Sequence, residues 1–372
     1  MLMNHQQLYQ NWVEIIQTRF TNLGKWQALG LALISFGMIL SQSCQVSRIS
    51  EVLGFIGRLG SVEKRLKRWL CNSRIDVELC CEWWVRWLWS CCDLERPVLL
   101  VDETKIGKRV ASMVVALAFD KRAIPVMWRC YKADDKSAYP KEGQVQLIIS
   151  LLERVIACLP PESRPLIQAD RGLGSSSELM KVCQQRGWFY LFRLPKNIYF
   201  SSRRGKRIKL RALAHYNDVW CGFGTLFGSP QRHVRSLVFV AWQQGQAEPW
   251  CLASNDALVE SSHYAMRMWQ ELSFKDLKSA GWQWQTSRLE DAERSSRLLL
   301  AMSLAYAWVM TQGTFVLHSE QLIRDICDAQ YNLFSTFRAG LRFFKRMIYQ
   351  PEKIFVGLFL VPRYKPLPES VP

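Results

Sequence analysis

Two aspartates follow short apolar runs of the kind that form strands, and they are the first residues of the chain that predict chemistry. Asp102 comes directly after Val98–Val101, and Asp170 comes directly after Pro165–Ala169. Open α/β sheets place their ligands at the carboxyl ends of strands, and carboxylate oxygens are the ligands that Mg²⁺ prefers. An aspartate after a strand is also a common helix cap or turn residue. A metal site therefore requires a third carboxylate near these two.

The third carboxylate is Glu271, which lies in a segment predicted to be helical from Ser261 to Ala280. At ~100° per residue, it shares one polar stripe, within ~80° on the helix wheel, with a phenol and three cations: Tyr264, Arg267, Lys275 and Lys278. A solvated helix face more often spreads opposite charges at i,i+4 positions. A lone carboxylate among cations favours metal binding beside groups that hold phosphates.

The spacing on this helix resembles the YREK signature of the insertion-sequence-four family of bacterial DDE transposases. The residues that match in type and spacing are Tyr264, Arg267, Glu271 and Lys278. Two further segments, Val101–Thr104 and Ala169–Gly172, resemble the first and second acidic motifs of that family. The resemblance extends from about residue 97 to residue 312, whereas residues 1–95 and the tail match only in general character.

The resemblance implies a cut-and-paste DNA transposase of an insertion sequence, which cleaves phosphodiester bonds at the terminal inverted repeats of a transposable element. Asp102, Asp170 and Glu271 would be catalytic and would hold two Mg²⁺ ions, for which Mn²⁺ substitutes. The freed 3′-OH end would then attack target DNA, and in relatives it first forms a hairpin end. The implied partners are double-stranded DNA and a second copy of the chain in a DNA-bridged homodimer.

The same resemblance assigns DNA-binding roles to the polar stripe. Tyr264, Arg267 and Lys278 would hold phosphates near the 5′ end of the element. Lys275 lies on the same stripe, and we expect it to contact DNA with them.

A tryptophan is the other expected DNA contact. The segment Glu248–Ser254 resembles the one that, in the hairpin-forming branch, supplies a tryptophan to stack on a flipped base. That residue would be Trp250, for which a place inside a core strand is the alternative. This branch often has a tryptophan directly after the signature arginine, whereas Met268 follows Arg267 here.

The elements around these residues predict an α/β protein. Residues 1–95 carry helical apolar periodicity, and we expect an N-terminal helical domain that binds DNA. After residue 97, the pattern predicts three strands and then helix, strand, helix and strand, at Val98–Val101, Met113–Phe119, Ile124–Cys130, Lys141–Leu159, Leu166–Ala169, Ser176–Arg186 and Trp188–Leu194. This order is that of a ribonuclease-H-like catalytic core, predicted over residues 96–312 with a β-rich insertion at about 195–255. Residues 313–372 are predicted to be a basic helical C-terminal region.

The chain is strongly basic, because lysine and arginine outnumber aspartate and glutamate by 49 to 32. The formal charge of +17 attracts polyanions such as DNA. Three segments concentrate the cations: Glu63–Trp69, Arg203–Arg211 with Arg207 and Lys209, and Tyr331–Lys353. We expect phosphate contacts from the first two, and DNA or a second subunit against the third. A solvated helix face and a disordered loop are the alternatives for the first two.

The apolar stretches, the first residues and the cysteines predict where the protein is located and whether it binds zinc. The most apolar stretches, Trp26–Leu40 and Leu298–Met310, are shorter than the ~18–20 residues that span a bilayer, which predicts buried helices and no membrane partner. Residues 1–7 lack the pattern of a secretory signal, so we expect a cytoplasmic protein associated with the nucleoid. The twelve cysteines lack C-x-x-C spacing and are expected to be buried thiols. Zinc shared by Cys80–Cys81 and Cys91–Cys92 is the alternative.

Three other functions remain open at this point. A ribonuclease-H-like endonuclease with the same triad would cut DNA without joining it, and a catalytically silent transposase derivative would bind inverted repeats without metal. A zinc-dependent regulator would use the paired cysteines. Two neighbouring carboxylates, Glu103 and Asp276, point away from the triad, and we expect them to be structural or exposed.

Overall fold

The computed structural model describes residues 5–133, 135, 137, 139–202, 205–326 and 334–363. Its α-helices are α1 (His5–Arg19), α2 (Lys25–Ser41), α3 (Val46–Glu51), α4 (Leu59–Leu70), α5 (Val77–Ser90), α6 (Gly143–Ile156), α7 (Arg171–Gly174), α8 (Ser177–Gln185), α9 (Arg267–Lys275), α10 (Ala292–Leu317), α11 (Glu320–Ile326) and α12 (Thr336–Met347). Its strands are β1 (Val98–Ile106), β2 (Val110–Phe119), β3 (Arg122–Lys132), β4 (Leu166–Ala169), β5 (Phe189–Leu194), β6 (Tyr199–Ser201), β7 (Arg207–Lys209), β8 (Asp218–Leu226), β9 (Val234–Trp242) and β10 (Trp250–Ser254). The protein is therefore a mixed α/β structure.

The strands of the described residues form one sheet in the order β3-β2-β1-β4-β5-β10-β9-β8-β6-β7. β1, β4 and β5 run parallel, and the other neighbouring pairs are antiparallel. The expectation that β1 ends at Val101 was wrong. The strand continues to Ile106 because the residues after Val101 still pair with β2, as Asp102 does with Val114.

The region at about 195–255 supplies the strands β6 to β10 and adds them to the central sheet. β10 returns antiparallel to β5, with Cys251 opposite Leu194 and Ser254 opposite Leu191. β10 thereby pairs with the side of β5 that does not face β4, so the backbone hydrogen-bonding groups on that side are satisfied. The far end of the sheet is the short strand β7.

The helices of residues 5–90 pack on the sheet and on α10 and share one apolar core with them. Trp12 of α1 stacks on Trp308 of α10 with ring centroids 4.2 Å apart. Trp84 of α5 donates its indole N–H to the carbonyl of Pro125 in β3 at 2.9 Å, which gives a buried polar group a partner. These contacts fix the N-terminal helices against the sheet that carries the two aspartates.

Helix α10 runs through the centre of this core. It is 26 residues long and extends beyond the apolar stretch Leu298–Met310 on both sides, and the expectation that this stretch forms a buried helix is confirmed. By length and composition it is the one helix among the described residues that could cross a membrane, yet 94% of its most apolar window is buried inside the protein. This burial is what a core helix requires.

Candidate functional site

Asp102 and Asp170 lie side by side, because β1 and β4 are parallel and in register. Val101 pairs with Ala169, and an aspartate follows each of these two residues, so both carboxylates lie at the carboxyl end of β4. Asp170 also caps α7, since its Oδ1 accepts a hydrogen bond from the backbone N–H of Leu173 at 3.0 Å. Asp170 can therefore cap α7 and also contribute its carboxylate to the candidate site.

A glycine keeps the turn after Asp170 close to the next strand. A Cβ atom at Gly174 would lie 2.8 Å from Cβ of Phe192 and 3.1 Å from the carbonyl oxygen of Arg193. Those distances are too short for any larger residue without a shift of β5. The small residue thus lets the end of α7 pack closely against β5.

Arg267 links the first and third carboxylates of the predicted triad. Its Nη2 lies 2.8 Å from Oδ2 of Asp102, and its Nη1 lies 3.4 Å from Oε1 of Glu271. Arg267 is only 5% exposed, whereas the Glu271 side chain is 51% exposed. The guanidinium therefore stands as a cation between two acidic groups, where it limits their repulsion.

The predicted stripe is not a single exposed helix face. The segment begins as a 3₁₀-helix at Ser261–Met266, continues as α9 and ends as a π-helix at Asp276–Ala280. Because these helices differ in residues per turn, a wheel at ~100° per residue does not apply across them. Tyr264 and Arg267 are buried, while Glu271 and Lys275 are exposed.

Two other residues of the stripe, Lys278 and Tyr264, lie near Asp102. Lys278 is half-buried; burial lowers its pKa, and the charge of Asp102 opposes that shift. Tyr264 packs edge-on against Trp250 with ring centroids 5.4 Å apart. Trp250 is half-buried at the start of β10, opposite Ala241.

The charges of Asp170 and Glu271 both influence the pKa of Asp102. Burial raises the pKa of Asp102 to about 6, the Arg267 guanidinium opposes this, and the charges of Asp170 and Glu271 raise the pKa further. Within the described residues, no three His, Cys, Asp or Glu side chains are already gathered as a metal-binding group. The donor chemistry nevertheless fits a hard divalent cation, because all three groups are carboxylates and a guanidinium already bridges two of them.

The basic segment of the added strands lies away from these carboxylates. Arg207 and Lys209 are in β7, where they pack over the ring of Tyr199 at 4.0 and 5.7 Å. From β4 to β7 there are six strand steps along the sheet, or roughly 29 Å at ~4.8 Å each. Arg203 and Arg204 of this segment lie outside the described residues.

The two competing carboxylates have structural partners. Glu103 accepts a hydrogen bond from the hydroxyl of Tyr131 at 2.6 Å. Asp276 is 6% exposed, lies 2.6 Å from Nε of Arg122 and accepts from the hydroxyl of Tyr306 at 3.0 Å. Glu103 and Asp276 were expected to be structural or exposed, and these contacts show that both are structural.

The paired cysteines are close to the core. Cys80 and Cys81 are buried, Cys91 and Cys92 are half-buried, and burial raises the pKa of each of these thiols. Their burial agrees with the expectation of buried thiols for Cys80 and Cys81 and in part for Cys91 and Cys92.

A charged cluster beside the triad was missed from the sequence. Glu248 forms ion pairs with Arg171 at 2.7 Å, Arg193 at 3.3 Å and Lys196 at 3.1 Å. The position of Arg171 directly after Asp170 was the only signal in the sequence, because the other members come from β5 and from the residues before β10.

Comparison with known proteins agrees with this architecture. A search of the curated proteins returned no match. The family model of the transposase DDE domain matches residues 94–308, which is more than half of the 372 residues. The match contains the whole sheet and Asp102, Asp170 and Glu271. The chain therefore belongs to the transposase DDE domain family, whose members act on DNA and generally use divalent metal ions.

Proposed function

We propose that the protein is a cut-and-paste transposase of the insertion-sequence-four family, with Asp102, Asp170 and Glu271 as its catalytic, metal-binding triad. The observation that carries the proposal is the register of β1 and β4, which brings the two aspartates together, with Glu271 joined to Asp102 through Arg267. The match of Tyr264, Arg267, Glu271 and Lys278 to the YREK spacing supports the narrower family.

The proposed core is ribonuclease-H-like and spans residues 96–312. Its support is the order β3-β2-β1-β4-β5, in which an antiparallel meander of three strands is followed by two strands parallel to the first. In this proposal the strands at about 195–255 are an insertion before the helix that carries Glu271, and residues 1–95 and 313–372 are flanking helical regions.

The triad would hold two Mg²⁺ ions, for which Mn²⁺ substitutes. When bound, such ions activate water for in-line attack on a phosphodiester and stabilise the leaving 3′ oxygen. Arg267 keeps Asp102 and Glu271 together before the ions bind. Lys278 beside Asp102 and the exposed Lys275 would hold phosphates, and Trp250 against Tyr264 would offer an aromatic surface to a base.

The test of this function is a nicking and strand-transfer assay on a donor plasmid that carries the ends of the element, with and without Mg²⁺. We expect Asp102→Ala, Asp170→Ala and Glu271→Ala each to slow nicking by more than about a hundredfold, because each removes a ligand of ions whose effect is several kcal/mol. The matched control is Glu290→Ala, which removes an exposed carboxylate outside the site. Normal nicking by the three alanine variants would contradict the assignment.

The same assay separates the alternatives. Metal-dependent nicks without joined products would indicate an endonuclease, and binding without nicks would indicate a silent derivative. The mass of the complex with its DNA ends, measured by light scattering, tests the proposed homodimer. Zinc analysis of the purified protein tests the regulator that uses the paired cysteines.

We also propose that the N-terminal helices bind DNA through α4. Arg65 and Arg68 line a surface cavity of about 550 Å³ together with Trp26, which is 75% exposed. Cations beside an accessible aromatic ring suit a DNA backbone.

Loss of these two arginines should weaken DNA binding in a salt-dependent way. We expect Arg65→Gln with Arg68→Gln to reduce the slope of log affinity against log salt by about 2, or about 1 per phosphate contact. Fluorescence anisotropy of a labelled duplex across a salt series measures this. The control is Arg48→Gln on α3, whose guanidinium is 65% exposed and pairs with Glu51. An unchanged slope in the double variant would exclude this surface.

A further inference from the structure

Three cations converge on one carboxylate beside the candidate triad. Oε1 of Glu248 lies 2.7 Å from Nη1 of Arg171 and 3.3 Å from Nη2 of Arg193, and Oε2 lies 3.1 Å from Nζ of Lys196. The three positive charges exceed the one negative charge by two. Glu248 therefore neutralises these three cations only in part.

The cluster lies at the edge of the sheet where the triad lies. Arg171 follows Asp170 at the start of α7, and Arg193 pairs with Leu252 of β10 near the end of β5. The charges of Arg193, Asp102 and Asp170 all act on the hydroxyl of Tyr264. An anion bound at the cluster would thus lie beside the acidic site and beside Trp250, which follows Glu248 by two residues.

The cluster is accessible from solvent. The side chains are 51% exposed for Arg171, 43% for Lys196 and 29% for Glu248. Exposed ion pairs are weak, so an external anion exchanges for Glu248 at little cost. Guanidinium groups bind carboxylate and phosphate oxygens with the same geometry, so one anion substitutes for the other without a new arrangement of the cations.

We propose that Arg171, Arg193 and Lys196 bind a backbone phosphate of the DNA strand at the active site, and that Glu248 occupies this phosphate site in the DNA-free protein. The proposal rests on the proposed function, in that DNA enters beside the triad. Glu248 weakens DNA binding until a phosphate replaces it. It acts as a competitor and positions no reacting atom.

The test measures DNA affinity by anisotropy with a short fluorescein-labelled duplex in EDTA, so it requires no cleavage. We expect Glu248→Gln to tighten binding by roughly three- to tenfold, because the phosphate no longer displaces a charged competitor. Arg193→Gln and Lys196→Gln should each weaken binding and each reduce the salt slope by about 1. The control is Glu153→Gln, which makes the same charge change in a single ion pair with Arg186 between α6 and α8.

A comparison in a background without the three cations separates competition from a general charge effect. In a chain that carries Arg171→Gln, Arg193→Gln and Lys196→Gln, the further change Glu248→Gln should alter affinity no more than Glu153→Gln does. Weaker or unchanged binding by the single Glu248→Gln variant would overturn the proposal, and so would an equal gain in both backgrounds. Failure of the triad variants in the nicking assay contradicts the proposed function, whereas these binding results contradict only the role of Glu248.

Discussion

Replacement of Arg267 by Met should lower the free energy of unfolding by ~3 kcal/mol in the presence of EDTA, because it leaves a carboxylate without its partner inside the protein. Arg267 is 5% exposed, and the Asp102 side chain beside it is 16% exposed. Urea denaturation followed by circular dichroism measures the change. Mg²⁺ should restore part of the lost stability, because an ion held by the carboxylates replaces the missing positive charge.

The matched control removes the other partner of the same arginine. Glu271→Gln deletes the charge of a side chain that is 51% exposed, so the lost stability should remain below ~1 kcal/mol. A large loss in Glu271→Gln, or a negligible loss in Arg267→Met, would mean that the guanidinium does not balance Asp102. Stability that fails to respond to Mg²⁺ in wild type and variant alike would contradict metal binding by these carboxylates.

The two aspartates of the candidate site could be predicted to lie close together because the signal is local. Each follows a run of apolar residues, and the parallel register of β1 and β4 then brings both to one edge of the sheet. The spacing of Glu271 from Tyr264, Arg267 and Lys278 could also be recognised within one helical segment. Each carboxylate is flagged by residues close to it in sequence, although β1 continues past Asp102 to Ile106, which the local pattern did not predict.

The environment of Arg267 was not predictable in the same way. Its distance along the chain from Glu271 predicts an i,i+4 pair, but which side of the helix docks on the sheet depends on tertiary packing. The 3₁₀-helix before α9 and the π-helix after it shift the side chains relative to a regular helix. Of the five residues of the predicted stripe, two are therefore buried, one is half-buried and two are exposed.

The cluster at Glu248 and the place of the added strands depend on contacts distant in sequence. Glu248 is 77 residues from Arg171 and 55 from Arg193, so no short pattern joins them. The β-rich pattern at about 195–255 predicts strands but not which strands pair with them. The pairing of β10 with β5 is set by the whole chain, and it brings Glu248 and Trp250 close to the candidate triad.

Replacement of Gly340 by Ala should destabilise the protein by ~2–3 kcal/mol or more, since it adds a methyl group where two helix backbones touch. A Cβ atom at Gly340 in α12 would overlap the carbonyl oxygen of Val309 in α10 and would lie 2.8 Å from the backbone nitrogen of Gly313. A Cβ atom at Gly313 would in turn overlap the carbonyl oxygen of Thr336. Backbone atoms of two buried helices cannot move aside as a flexible side chain can, so the helices must separate.

The control is Gly60→Ala in α4, where a Cβ atom would meet no other atom within 4 Å. Alanine reduces the conformational entropy of the unfolded chain, so this variant should be neutral or more stable by ~0.5 kcal/mol. Thermal and urea denaturation of both variants measure the contrast. Because α10 also stacks Trp308 on Trp12 of α1, separation of α12 from α10 should loosen the packing that fixes the N-terminal helices. Equal stability of Gly340→Ala and Gly60→Ala would contradict the close crossing of α10 and α12.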